Sequence, residues 1–97
     1  MHFICYIIFS KTLNRYYVGY TSGIKERLKL HNNGHFGGKS YSSRSKDWEV
    51  YLLIPCPTIE QAVSIESRIK RMKSRKYIEN LKKYPELVEK MIKEFDN

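Results

Sequence analysis

YYVGYTSGIKERLKLHN, residues 16–32, passes from strand composition into helix composition and sets Tyr17, Arg27 and His31 at intervals of ten and four. Its first five residues are mostly aromatic or β-branched, as strands favour. Thr21 and Ser22 are candidate N-caps for a helix over Ile24–Asn32, with Gly34 helping to end it. Each helical residue advances by about 100°. His31 therefore shares a stripe with Arg27, flanked by Ile24, Leu28 and Leu30, while Lys25, Lys29 and Asn32 point roughly the other way. Two polar groups thus occupy the face expected to meet the core. Either Arg27 snorkels or pairs for structural reasons, or the two groups line a polar cleft.

Upstream, FICYIIF (residues 3–9) reads as a strand buried on both faces. The polar SKTLNR turns it back into YYVGY, giving a hairpin with Tyr6 on its first strand and Tyr17 on its second. Downstream, residues 33–47 are rich in Gly and Ser, carry Lys39, Arg44 and Lys46, and have no periodicity, which predicts a basic loop. WEVYLLI (residues 48–54) predicts a third strand, stopped by Pro55 and Pro57. Thr58 with Gln61 has the capping-box pattern and opens a helix to about Lys73. Two more helices are expected over 75–83 and 85–95, with Pro85 in the first turn of the last. The order is β-β-α-β-α-α-α.

The helix after Thr58 carries a similar anomaly. Centred on Glu66, its stripe holds Ile59, Ala62, Val63 and Ile69, with Ile65 at the edge and Ser64, Ser67, Arg68 and Arg71 opposite. A carboxylate among apolar neighbours is costly unless it is paired or bound to a metal. The structural reading is a Glu66–Arg27 ion pair between helices. The functional reading is a cleft holding an acid, an arginine, a histidine and hairpin tyrosines. Those residue types suit phosphodiester hydrolysis. A carboxylate oxygen is a hard ligand for Mg²⁺ or Mn²⁺, a guanidinium stabilises a transition-state phosphate, and a phenol of lowered pKa can take a proton from water.

The 97 residues carry 18 Lys and Arg against 10 Asp and Glu, a net charge of +8 that favours a polyanionic partner such as nucleic acid. No apolar run is long enough to span a membrane, and MHFICYIIFS lacks the features of a signal peptide. Cys5 and Cys56, in apolar runs without CxxC spacing, are expected to be buried thiols of a cytoplasmic protein.

The ordered set of CYI (Cys5, Tyr6, Ile7), YVG (Tyr17, Val18, Gly19), KERLKLHN and SIESRIKR resembles the GIY-YIG nuclease family, over about Phe3 to Asn80. The likeness is to its short stand-alone bacterial members, and to the nuclease domain of the excision repair C subunit. The resemblance implies an α/β sandwich around a three-stranded antiparallel sheet and hydrolysis of DNA with one divalent ion, Mg²⁺ or Mn²⁺. It implies that Glu66 binds the metal and that Tyr17 is the general base, directly or through a water on the ion. Arg27 would stabilise the phosphate, and Tyr6 and His31 would position water and phosphate. Asn80 is the candidate for a supporting asparagine. Cys5 stands where the signature has glycine, and Tyr20 where the repair subunit has lysine.

Larger members add a DNA-recognition domain, for which these residues leave no room. Phosphate contacts then fall to Lys39, Arg44 and Lys46 in the basic loop and to Lys70, Arg71 and Lys73 in the basic helical region, and would be sequence-independent and salt-sensitive. Phe36, Tyr41 and Trp48 are candidates for stacking on unpaired bases, with a core position the competing reading for Trp48. The expectation is one α+β domain over residues 1–97, with a motif-bearing core over 3–80 and a helical extension over 81–97. It would be a metal-dependent endonuclease acting on branched or damaged DNA, linked to repair, with a protein partner supplying specificity. A nucleic-acid-binding module without turnover and a purely structural ion pair are the alternatives.

Overall fold

The computed structural model describes residues 2–33 and 46–95. Three antiparallel strands, β1 (Phe3–Ser10), β2 (Arg15–Thr21) and β3 (Glu49–Cys56), form a sheet in the order β2-β1-β3. Four helices follow the expected order: α1 (Ile24–Asn32) between β2 and β3, then α2 (Ile59–Met72), α3 (Arg75–Lys83) and α4 (Pro85–Glu94). The central strand is covered on both faces, which explains its lack of polar alternation. Successive side chains point to opposite faces. Cys5 and Ile7 accordingly join Ala62, Ile65, Ile69 and Leu81 in one core cluster, while Tyr6 and Ile8 join Trp48 in another, against Ile24 and Leu28. The two layers thus place α2 to α4 on one side of the sheet and α1 on the other.

Several local expectations are corrected. Pro55 does not stop the third strand, which runs from Glu49 through Pro55 to Cys56. Its position on an edge strand, where one side of the backbone needs no partner, makes a missing N–H tolerable. Trp48 precedes that strand and is buried against Tyr6 and Ile8, which removes it as a base-stacking surface. The N-cap of α1 is Gly23, not Thr21 or Ser22, and no side chain caps it. Thr21 acts two residues earlier, its Oγ1 accepting from Gly23 N–H at 3.1 Å.

Only half of the predicted capping box forms. Gln61 N–H donates to Thr58 Oγ1 at 3.2 Å, but the Gln61 side chain turns away and donates from Nε2 to the Ile92 carbonyl of α4 at 3.1 Å. The buried stripe of α2 is centred on Ala62, Ile65 and Ile69, with Ile59 and Val63 exposed. Glu66 is therefore at the stripe's edge rather than its middle. Arg68, expected on the solvated side, makes a two-pronged ion pair with Glu94 of α4 at 2.9 and 3.2 Å. Asn32, also expected to face solvent, instead fixes the approach to β3. Its Nδ2 donates to the Trp48 carbonyl at 3.1 Å and its Oδ1 accepts from Trp48 N–H at 2.8 Å. Both cysteines are free and buried. Gly34, Phe36, Lys39, Tyr41 and Arg44 lie outside the described residues.

Candidate active site

β2 is an edge strand of the sheet, with α1 on one face and α2 on the other. A cleft of about 220 Å³ opens there, lined by Tyr6 of β1, Tyr17, Gly19 and Tyr20 of β2, Arg27 of α1 and Glu66 of α2. Residues from four elements separated by up to sixty positions thus meet at one point. The cause is register: Tyr6 lies opposite Gly19, one pair along from Ile7 and Val18, while Tyr17 lies opposite Ile8. Tyr6 and Tyr17 then share a face, and their rings stack with centroids 6.5 Å apart and planes at 27°.

Gly19 is needed for this arrangement. A Cβ there would fall 2.6 Å from the Tyr6 hydroxyl oxygen and 2.7 Å from Cζ, so the phenol lies directly over bare backbone. The YVG signature contains this glycine, but nothing local in the sequence marks it as part of the site. Its role depends on the cross-strand pairing.

His31 does not line the cleft. It is 1% exposed and lies behind Tyr6, with its Nε2 2.9 Å from the Tyr6 hydroxyl and its ring edge-on to Tyr17 at 4.7 Å. Burial, reinforced by the Arg27 charge, lowers the His31 pKa to about 4. The imidazole is therefore neutral at neutral pH, and in its Nδ1–H tautomer it accepts the Tyr6 O–H at Nε2. Burial is also the largest influence on Tyr6, followed by the neighbouring Tyr17. Together they push its hydroxyl above the usual phenol range, with Arg27 opposing. Tyr6 consequently holds its proton.

Glu66 is half-buried, and its side chain retains 17% exposure. Its ion pair is with Lys70 one turn on, Nζ to Oε1 3.7 Å, where the sequence had suggested Arg27. The same ammonium lies 5.9 Å from the centroid of the Tyr17 ring. Lys70, expected only as a surface phosphate contact, thus sits beside both the carboxylate and the phenol. Nothing in the sequence separates it from its neighbouring lysines except the i, i+4 spacing from Glu66. Of the other expected nucleic-acid contacts, Lys73 lines an adjoining groove, Lys46 and Arg71 are exposed, and Lys39 and Arg44 are outside the described residues. Asn80, on α3, is not among the cleft-lining residues.

No group of three or more His, Cys, Asp or Glu side chains gathers among the described residues. Among the described residues Glu66 is the single carboxylate lining the cleft. This donor set fits a small hard cation that keeps most of its waters and needs one protein oxygen. The cleft volume is several times the roughly 30 Å³ that a water occupies. It does not fit an ion that requires a complete protein cage.

The GIY-YIG catalytic domain matches residues 2–82. A solved relative of the same shape is the UPF0213 protein BH0048 from Bacillus halodurans, known from a solution NMR structure. It is 28% identical to this chain, with a TM-score of 0.51 over 84% of this chain and 82% of that one. No curated protein matches the sequence. With the signature tyrosines stacked on one face of the neighbouring strands β1 and β2, and the domain match covering most of its length, the chain belongs to the GIY-YIG family of nucleases.

Proposed function

We propose that this protein is a divalent-metal-dependent endonuclease that hydrolyses DNA phosphodiester bonds, choosing branched or damaged structures rather than a base sequence. The observation that carries the reading is the meeting of Tyr6, Tyr17, Arg27 and Glu66 around one small open cleft. Glu66 would hold the ion, Mg²⁺ or Mn²⁺, which when bound supplies Lewis-acid stabilisation of the phosphate. Arg27 faces the same space and would bind the phosphate oxygens, taking up charge as the attacking water adds to phosphorus. Tyr17, acting as its phenolate, would accept that water's proton while the electrons of the breaking P–O bond leave with the departing oxygen, which takes a proton from solvent. Tyr6, held protonated by its surroundings and fixed by His31, would donate a hydrogen bond to water or phosphate without exchanging its own proton. His31 touches no substrate in this scheme and is a positioning residue.

A net charge of +8 supports a DNA partner bound through its backbone. A repair setting, a cytoplasmic location and a partner protein that supplies specificity belong to the same proposal. Among the described residues no helix is long and apolar enough to cross a membrane. The test is incubation with supercoiled, flapped and four-way-junction DNA in Mg²⁺ or Mn²⁺, with Glu66→Ala and Tyr17→Phe in parallel. Cleavage by the parent protein and loss in both variants is the expected result. Absence of cutting in the parent, or equal cutting by Glu66→Ala, overturns the proposal.

A further inference from the structure

Beside the catalytic cleft lies a larger groove of about 630 Å³; the two share Tyr17 in their walls, and Lys70 of the groove is paired with Glu66 of the cleft. Its volume is within the range of about 300–1,000 Å³ typical of pockets for small organic ligands. One rim is the β1–β2 turn and the other is the junction between α2 and α3. Both rims hold a residue in the left-handed region, Asn14 at φ 52° and Lys73 at φ 48°. Arg75 bridges them, donating to the Asn14 carbonyl at 2.9 Å and to its Oδ1 at 3.1 Å. The groove is therefore braced in its open shape.

Its chemistry is of two kinds. Among the described residues Arg15, Lys70, Lys73 and Arg75 line it, and no Asp or Glu does. Its floor is apolar, made by Val18, Ile69 and Ile78 of the core. A bare phosphate would have no use for that floor, and an apolar ligand would have none for four cations. A nucleotide, with an anionic phosphate and a flat base, uses both. In a duplex the base is already stacked and paired, so it cannot reach the floor unless it is unpaired.

We propose that this groove seats one unpaired nucleotide of the substrate strand, adjacent to the phosphate held in the catalytic cleft. The proposal rests on the nuclease reading only for calling that strand the substrate. It gives the preference for branched or damaged DNA a physical source: such structures offer unpaired nucleotides next to a scissile phosphate, and an intact duplex does not.

The experiment is fluorescence anisotropy in EDTA, where binding is read without cleavage. The probes are a labelled single strand of about 12 nucleotides, its blunt duplex, and the same strand carrying abasic sites. The intact strand should bind at least about fivefold more tightly than either, the scale of one base–protein stacking contact. Arg15→Ala/Lys73→Ala should weaken the intact strand by roughly tenfold through lost phosphate neutralisation. Lys90→Ala/Lys93→Ala, exposed on α4 outside the groove, should change it by less than about twofold. Thermal melts of both variants establish that they are folded, and the abasic strand tests the floor without any substitution. Equal binding of duplex, abasic and intact strands overturns the proposal, as does a groove variant that loses no more than the control. A protein that binds as expected yet cuts no DNA supports the groove and overturns the nuclease reading alone.

Discussion

Lowering the pH should destabilise this protein through one side chain, His31. In the unfolded chain its imidazole titrates at 6.5, while in the folded chain burial and Arg27 lower this to about 4. Between these values the unfolded chain binds a proton that the folded chain refuses, so stability falls as pH falls. The contribution is fully present above 6.5 and is lost on the way down to 4. The linkage relation gives a loss of about 2 kcal/mol at pH 5 and about 3 kcal/mol at pH 4, relative to neutral pH. For a domain whose whole stability is of the order of 5–15 kcal/mol this is a large share. The assay is urea denaturation at a series of pH values, comparing the parent with His31→Gln. Glutamine keeps an acceptor for the Tyr6 hydroxyl but cannot titrate. The parent should lose about 2 kcal/mol more than the variant between pH 7.5 and pH 5, with carboxylate titration common to both. Parallel curves for the two proteins would refute a neutral, buried His31 and the fixed Tyr6 that depends on it.

Gly19→Ala should cost about 1–3 kcal/mol by forcing the Tyr6 ring off the backbone, and any cleavage should fall with it; an unchanged urea midpoint would show that Tyr6 moves freely. Asn32→Ala removes both bonds to the Trp48 backbone and should lower stability by about 1–2 kcal/mol, read from the same denaturation curves. Chelation with EDTA should abolish cleavage and added Mn²⁺ restore it, whereas Glu66→Ala should show no Mn²⁺ binding by paramagnetic broadening of proton signals near the cleft. Cutting that persists in EDTA would count against the metal.

The sequence by itself determined the elements and their order. FICYIIF reads as a doubly covered strand from its β-branched and aromatic composition, and Pro85, Thr58 and the helical periodicities place α2 to α4 within a residue or two. It also showed that Arg27, His31 and Glu66 are polar groups near apolar faces, because helical phase is local geometry. Phase alone could not say how deep each one sits. That depends on where neighbouring elements dock: Glu66 is at the edge of its stripe and open to the cleft, while His31 is sealed behind Tyr6.

The same limit explains the errors at Pro55, Asn32 and Arg68. An edge position, a bond to a backbone sixteen residues away and an ion pair across to α4 are facts about partners, and partners are chosen by tertiary packing. Gly19 and Lys70 show the difference most directly. One is a gap in a strand and the other a lysine among many, until the pairing of β1 with β2 sets Tyr6 over the glycine and the docking of α2 brings the lysine to Tyr17. The chain's local chemistry fixes which groups can act; only three-dimensional proximity, set by sheet register and helix docking, decides which of them meet.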